Sequence, residues 1–360
     1  MRIALAQTAP SVAPEGPPQL EKPHSTSPFP SIDQNLIDVV GFVQRAAEQG
    51  AEVVVFPEYF LQGIVDAGRQ YLSLPSKHLT TYLQSLAKQY KVCLVGSIVH
   101  GTREAGTPGA VDLPSVSPFE HIPASSSSPA SSSNQATSNA SGTSPKNKSK
   151  NGITPAQLEW AKYLEKHPVS AEENSHPVIY NTAFFINESG EVVGEYVKKN
   201  LWHPEREYLT PGKDEHKVFD TKWGKAGMMI CWDMSHPAHA QDLAKQGADI
   251  IFAPTFWYAT DSEPTIHKYE HDPQYETKMV SSLCFARCLE TETVWIMCNA
   301  GGDPLEGFMG GSGVWVPLRG QVAACGVGAQ LEVVDIDLKV LKDARETYKV
   351  REDASRRLAT

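Results

Sequence analysis

Three side chains of different chemistry each stand at the end of a short apolar run. Cys231 follows Ala226 to Ile230, Lys198 closes the run Glu191 to Lys198, and Glu58 follows Val53-Val54-Val55-Phe56-Pro57. Acyl transfer at a C–N bond needs this set: a nucleophile, a base to take its proton, and a cation where negative charge develops. Each residue alone has a plainer reading, as a core cysteine, a solvated lysine or a loop carboxylate. Position separates the two readings. Ligands of open α/β sheets collect at the carboxyl ends of strands. A thiol ahead of a helix is also expected to feel the helix N-terminus, which lowers its pKa and favours the thiolate.

The elements that must carry these groups follow from periodicity. Ala226 to Ile230 and Ile250 to Ala253 are apolar enough to be buried strands. Between them Ser235 is an expected N-cap, Pro237 suits the first helical turn and Gly247 a C-terminal stop, so the segment is a β-α-β unit. A first strand is predicted from Arg2 to Gln7. Asp33 is expected to cap a helix running to about Gln49, with Leu36, Ile37, Val40 and Val43 at helical spacing. A second helix (about 76 to 90) and a strand (92 to 99) follow. Strands at 178 to 187 and 191 to 198 join through Glu188-Ser189-Gly190. A helix near 275 to 292, a strand from Val294 to Asn299 and three strand-like runs between Gly313 and Asp335 complete the core.

One internal comparison bears on chemistry. Gln49-Gly50-Ala51-Glu52, four apolar-run residues, Pro57 and Glu58 match Gln246-Gly247-Ala248-Asp249, a similar run, Pro254 and Thr255. Flanking helical patterns match too, which predicts two similar β-α-β halves about a pseudo-twofold. The second half accepts Thr255 where the first carries Glu58, so packing does not demand a carboxylate there. Glu58 is read as chemical.

The rest of the chain sets bounds. The 360 residues are expected to form a single domain, 1–360, with a Pro-rich insertion at 10–30, a disordered Ser-rich insertion at about 101–152 and a polar C-terminal tail at about 338–360. That tail is read as a tail or an oligomer contact. A formal charge of −10 argues against a polyanion-binding surface, so no nucleic-acid partner is expected. No apolar run approaches a bilayer span, no membrane partner is expected, and no secretory pattern opens the sequence. Six cysteines without repeated spacing do not read as a disulfide framework, and the expected compartment is the cytoplasm.

In the order Glu, Lys, Cys, the three groups resemble the nitrilase superfamily of carbon–nitrogen hydrolases. The resemblance is carried by F-P-E-Y at 56–59, G-E-Y-V-K-K-N-L at 194–201, E-R-E-Y-L-T-P-G at 205–212 and I-C-W-D-M-S-H-P at 230–237. It continues through A-R-C-L-E-T-E at 286–292 and G-G-S-G-V-W-V-P-L-R-G at 310–320, and covers nearly the whole chain outside the two insertions. It implies an α/β fold, a four-layer α-β-β-α sandwich, dimerised or further assembled as a homo-oligomer. It implies Glu58 as general base, Lys198 as stabiliser of the tetrahedral intermediate, and Cys231 as the residue that forms a thioester for water to cleave. The family's second glutamate matches Glu205, with Glu207 as the alternative. The Trp232 N–H is an expected oxyanion donor, and no cofactor or metal is implied.

Two departures stand out. The family often has His two residues past its lysine, where this chain has Asn200. Nitrile-cleaving members generally follow the cysteine with Trp-Glu, whereas here it is Trp232-Asp233, which looks more like branches acting on amides or N-carbamoyl amines. The expected partner is therefore a small amide or carbamoyl compound, with a nitrile as the alternative. Trp202, Trp232, Phe256 and Trp257 are candidates for an aromatic pocket wall, and Asn200 for a substrate contact.

Competing classes are weaker in the sequence. His236-x-x-His239 and Cys284-x-x-x-Cys288 offer metal-ligand types, but neither a CxxC pair nor HExxH occurs. No G-x-S-x-G elbow is present, and Gly301-Gly302 and Gly310-Gly311 precede no helical pattern. A non-catalytic family member acting in binding or assembly is the alternative of a different class.

Overall fold

The computed structural model describes residues 1–16, 26–102, 113–124, 152–168 and 177–358. Among the described residues the apolar runs of the sequence become twelve strands in two sheets of six. In the first sheet, β1 (Arg2–Gln7), β2 (Val53–Val55) and β3 (Cys93–Thr102) are parallel, while β4 (Val178–Ile186) and β5 (Val192–Val197) continue antiparallel. In the second, β7 (Gly224–Met228), β8 (Ile250–Thr255) and β9 (Val294–Asn299) are parallel, and β10 (Gly313–Val316) and β11 (Gly320–Ala324) antiparallel. β6 (Phe219–Thr221) lies antiparallel on β7, and β12 (Gln330–Asp335) antiparallel on β1.

The two strand orders, β12-β1-β2-β3-β4-β5 and β6-β7-β8-β9-β10-β11, superimpose position for position. Ile3 pairs with Val53 as Ala226 pairs with Ile250. In this register Thr255 is the counterpart of Glu58, and Thr8 that of Cys231. The repeat expected from the sequence is thus a repeat of register as well as of composition.

Helices cover the outer faces. α1 (Pro30–Glu48) and α2 (Ser76–Tyr90) pack on the first sheet, joined by α3 (Pro155–Lys166), whose Trp160 is buried with them. α4 (Pro237–Lys245) and α5 (Tyr275–Thr291) cover the second sheet. Between the sheets, Ile3, Leu5, Val53, Val55 and Phe185 meet Ile250, Phe252 and Ile296 in a core from which water is excluded. Burial of this order, ~25 cal/mol per Å² of apolar surface, holds the two sheets face to face. The result is an α-β-β-α sandwich.

Three expectations need correction. α1 begins at Pro30, because Pro suits the first turn of a helix, and Asp33 falls inside that turn as a partly buried acid instead of a cap. Within the insertion expected at 101–152, residues 113–124 are packed: Phe119 and Ile122 are buried, and Phe119 lies 6.1 Å from the Phe29 ring. Aromatic pairing offsets the ordering cost that the composition suggested. Residues 103–112 and 125–151, including Ser125 to Ser128 and Lys146 to Lys150, lie outside the described residues, as do 17–25. Finally, 338–358 carries α6 (Val340–Tyr348) and α7 (Val350–Leu358), where a polar tail was expected. Leu341 and Ala344 are buried, and Arg345 and Arg351 reach back to the Ala248 carbonyl, at 3.4 Å for Arg345. Long basic side chains anchor a helix through a few carbonyls while leaving most of its surface polar, so composition alone reads as tail.

Among the described residues no helix is long and apolar enough to cross a membrane. All six cysteines are free and buried.

Candidate active site

The three groups and Glu205 converge where strands of both sheets end. Glu58 sits just past β2, and its N–H donates to the Thr255 carbonyl across the sheet interface at 3.3 Å. Lys198 follows β5. Its N–H donates to Asn181 O of β4 at 2.9 Å, and its carbonyl accepts from Gly212 N at 2.8 Å. A Cβ on Gly212 would lie 2.5 Å from the Val197 carbonyl, so glycine lets the return loop press against the lysine. That loop enters the short helical turn His203–Glu207, which brings Glu205 back to Lys198.

Cys231 opens a tight helical turn, Cys231–Ser235, directly after the strand run. Its φ is +45°, a left-handed conformation that costs a non-glycine residue about 1–3 kcal/mol and persists only where the surroundings enforce it. Asp233 does so. Fully buried, its carboxylate accepts from Ile230 N at 3.0 Å and Tyr196 Oη at 2.8 Å. It also accepts from Asn200 N at 2.9 Å and Asn200 Nδ2 at 2.8 Å. From the other side, Arg287 Nε of α5 donates to the Met234 carbonyl at 3.0 Å. Asp233 therefore ties the backbone beside Cys231 to the backbone beside Lys198.

The Lys198 ammonium bridges the two acids. Nζ lies 2.8 Å from Glu58 Oε1 and 2.7 Å from both Glu205 oxygens. All three side chains are buried. Asn181 Nδ2 adds a bond to Glu58 Oε1 at 2.7 Å, Trp202 N one to Glu205 Oε2 at 2.8 Å, and Tyr59 Oη donates to Glu205 Oε1. A buried ion cluster is tolerated only when its lone pairs and protons are satisfied in this way.

Burial dominates the acid–base balance. It raises Glu58 to about 7; Lys198 pulls the other way, and Glu205 pushes it up further. For Lys198 burial acts downward, yet Glu58 and Glu205 outweigh it and hold the ammonium well above its ordinary value. The Cys231 thiol is pushed well above its usual value, first by burial and then by Glu58, with Lys198 opposing. The expectation of a thiolate favoured by a helix N-terminus is thus overturned. A two-carboxylate neighbourhood and exclusion of water outweigh a turn too short to carry much dipole. The thiol reaches the Phe256 carbonyl at 3.8 Å.

These groups open on a cavity of about 180 Å³. Trp202, Trp232, Phe256 and Trp257 line it, with Trp232 4.4 Å from Trp202 and 5.4 Å from Trp257 between ring centroids. Trp257 is fixed by its Nε1 bond to Glu276 at 2.9 Å and by Asn299. Asn200 is a correction. Its amide is taken up by Asp233, and it is absent from the cavity lining among the described residues. Sequence reasoning missed Tyr59, Asp66, Tyr208, Tyr258 and Asp261, all of which line the cavity. Tyr59 stood inside the F-P-E-Y block, and its place beside Glu58 was the available signal. Glu207 is exposed at the outer side of the turn that buries Glu205. His239 Nδ1 faces His216 Nδ1 at 3.2 Å, and no cluster of metal-ligating side chains occurs among the described residues.

A family profile described as carbon-nitrogen hydrolase matches residues 2–111 and 165–346. The chain is 36% identical over 121 residues to a citrullinase of Francisella tularensis, covering 32% of this chain and 39% of that protein. It is 39% identical over 101 residues to an N-carbamoylputrescine amidase of Solanum lycopersicum, covering 27% and 33%. The chain thus spans between a third and two fifths of the length of these curated relatives. In fold it resembles an amidase from Nesterenkonia sp. AN1, solved with the acetamide moiety of fluoroacetamide on its active-site cysteine, at a TM-score of 0.58 and 19% identity over 98% of this chain and 96% of that one. With the profile spanning most of its length, this chain belongs to the carbon–nitrogen hydrolase family.

Proposed function

We propose that the protein hydrolyses the C–N bond of a small amide or N-carbamoyl amine through a Cys231 thioester. One observation carries the reading: a single ammonium, Lys198, bridges Glu58 and Glu205 beside a thiol at the floor of one small cavity. Glu58, raised toward neutrality, is suited to accept a proton and return it. Because the resting thiol is protonated, its proton passes to Glu58 as sulfur bonds to the substrate carbonyl carbon. The oxygen gains negative charge beside the Lys198 ammonium and the Trp232 N–H. Glu58 then returns the proton to nitrogen, the C–N bond breaks and ammonia leaves an acyl thioester. Water adds with its proton going to Glu58, the C–S bond breaks and the thiol re-forms. With an N-carbamoyl amine the released carbamic acid loses carbon dioxide, so amine, ammonia and carbon dioxide are the products.

Glu205 holds the ammonium at the reacting oxygen and, fixed by Tyr59 and Trp202, positions it. The cavity falls below the ~300–1,000 Å³ of drug-sized ligand pockets, which supports a small substrate. The citrullinase and the N-carbamoylputrescine amidase among the relatives support the N-carbamoyl arm. The test is ammonia release from amides, N-carbamoyl amines, N-carbamoyl acids and nitriles, beside a Cys231→Ala variant. Release from amides or carbamoyl compounds that vanishes in the variant is expected. Release from nitriles alone, or activity that survives the substitution, overturns the proposal. A folded protein silent across the panel points to the binding or assembly role.

A further inference from the structure

The cavity's charge is unbalanced. Among the described residues lining it are four carboxylates, Glu58, Asp66, Glu205 and Asp261, against one ammonium, Lys198. Lys198 is taken by Glu58 and Glu205. Asp66 is paired with Arg69. Asp261 is left: among the described residues no cation lies within ion-pair distance of it. Its Oδ2 accepts from Tyr258 N at 3.1 Å, and its own N–H returns to the Tyr258 carbonyl at 3.4 Å, so a reciprocal turn holds the carboxylate in place. The Ala259 N–H bond to Gly307 O at 2.9 Å anchors that turn to the next loop.

The walls point the same way. Trp202, Trp232, Trp257 and Tyr258 line the cavity, and aromatic faces attract a cation partly stripped of water. Anionic groups meet the opposite: a substrate carboxylate would enter a lining in which acids outnumber ammonium groups and no further cation faces it. A neutral chain would leave the half-buried Asp261 charge without a cationic partner, which costs the site part of its binding energy.

We propose that this cavity selects small amides or N-carbamoyl amines bearing a second, cationic amine, with Asp261 as the carboxylate that receives the cation. The inference rests on the hydrolase reading above and adds the substrate's charge to it. Asp261 acts on specificity, since it touches the part of the substrate away from the carbonyl.

The experiment compares mono-carbamoylated diaminopropane and diaminobutane with alkylureas and N-carbamoyl ω-amino acids of matched length, measuring kcat/KM by ammonia release. Wild-type protein is expected to favour the cationic compounds over the neutral ones by at least about tenfold, and over the anionic ones by more. Asp261→Asn keeps an acceptor for the Tyr258 N–H but loses the charge. The cationic-to-neutral ratio is expected to fall about tenfold in it, mainly through KM. Because the ratio is taken within one sample, a misfolded fraction cancels. Neutral or anionic compounds cleaved as well as the cationic ones, or a ratio unmoved by Asp261→Asn, overturn the inference and leave the hydrolase reading standing. Ammonia from none of these compounds, nor from simple amides, removes both.

Discussion

Replacing Asp233 with Asn tests whether the nucleophile is held by wiring distant from the substrate. The carboxylate accepts four hydrogen bonds, two on each oxygen, and lies fully buried. An Asn side chain offers one oxygen and one NH₂. With the NH₂ toward Tyr196, the tyrosine hydroxyl can turn and accept, but Ile230 N–H loses its partner. With the NH₂ toward Asn200, that amide can flip, but the Asn200 backbone N–H is left unpaired. Either choice orphans one buried N–H, at about 1–3 kcal/mol, and surrenders the charge that strengthened the remaining bonds, giving a total of about 2–4 kcal/mol. For a chain of this size that lowers Tm by roughly 3–6 °C. Cys231, no longer forced to its positive φ, relaxes, and a displacement near 1 Å costs about a hundredfold in kcat/KM. Scanning calorimetry and kcat/KM on the best substrate are the assays, with substrate preference unchanged because Asp233 stays outside the cavity lining. A Tm within about 1 °C of wild type with kcat/KM within about threefold would refute the reasoning. A changed substrate preference would show that Asp233 meets the substrate after all.

Two further expectations concern other parts of the cluster. Tyr59→Phe removes one of the donors fixing Glu205, and kcat/KM should fall by about tenfold to a hundredfold with far-UV circular dichroism unchanged, since a bond to a buried charge is worth about 1.5–3 kcal/mol; unaltered kinetics would exclude a positioning role for the phenol. Asp33, raised by burial from 3.8 to about 7, binds its proton more tightly in the folded state, even with His121 Nε2 3.6 Å away. Its contribution to stability is thus full below about pH 4 and lost as pH rises to about 7. Asp33→Asn should lose less stability between pH 5 and pH 8 in urea unfolding than wild type, and equal losses would contradict the assignment.

Strand identity and the residues at strand ends were legible because both depend on local pattern. A run of apolar residues followed by one polar side chain marks where a sheet meets its ligand face. The repeated Gln-Gly-Ala-acid segments betrayed the pseudo-twofold for the same reason. What stayed hidden depends on distant partners. Nothing near Asn200 says that Asp233, 33 residues on, will claim both its backbone and side-chain amides. The cavity faces of Tyr208, Tyr258 and Asp261 come from loops whose course no periodicity dictates. The Cys231 acidity was misjudged because helix proximity is visible in sequence, whereas burial beside two acids is a property of the assembled site. The Trp-Asp signature loses its direct link to substrate for a related reason: Asp233 is spent on the backbone of Ile230 and Asn200 and stays outside the cavity lining.

Glu58, Lys198 and Glu205 follow strands of the first sheet, whereas Cys231 follows a strand of the second. Neither layer owns a complete set. A molecule in which the sheets have slid or parted, each keeping its hydrogen-bonded ladder, would retain its secondary structure and yet have no base within reach of its thiol. If the proposed mechanism holds, turnover is a gauge of interlayer docking: during unfolding it should vanish with the close packing of Phe185 against Phe252, ahead of the strands themselves. In a scaffold built of two similar halves, the proposed chemistry is thus conditional on the halves staying pressed together.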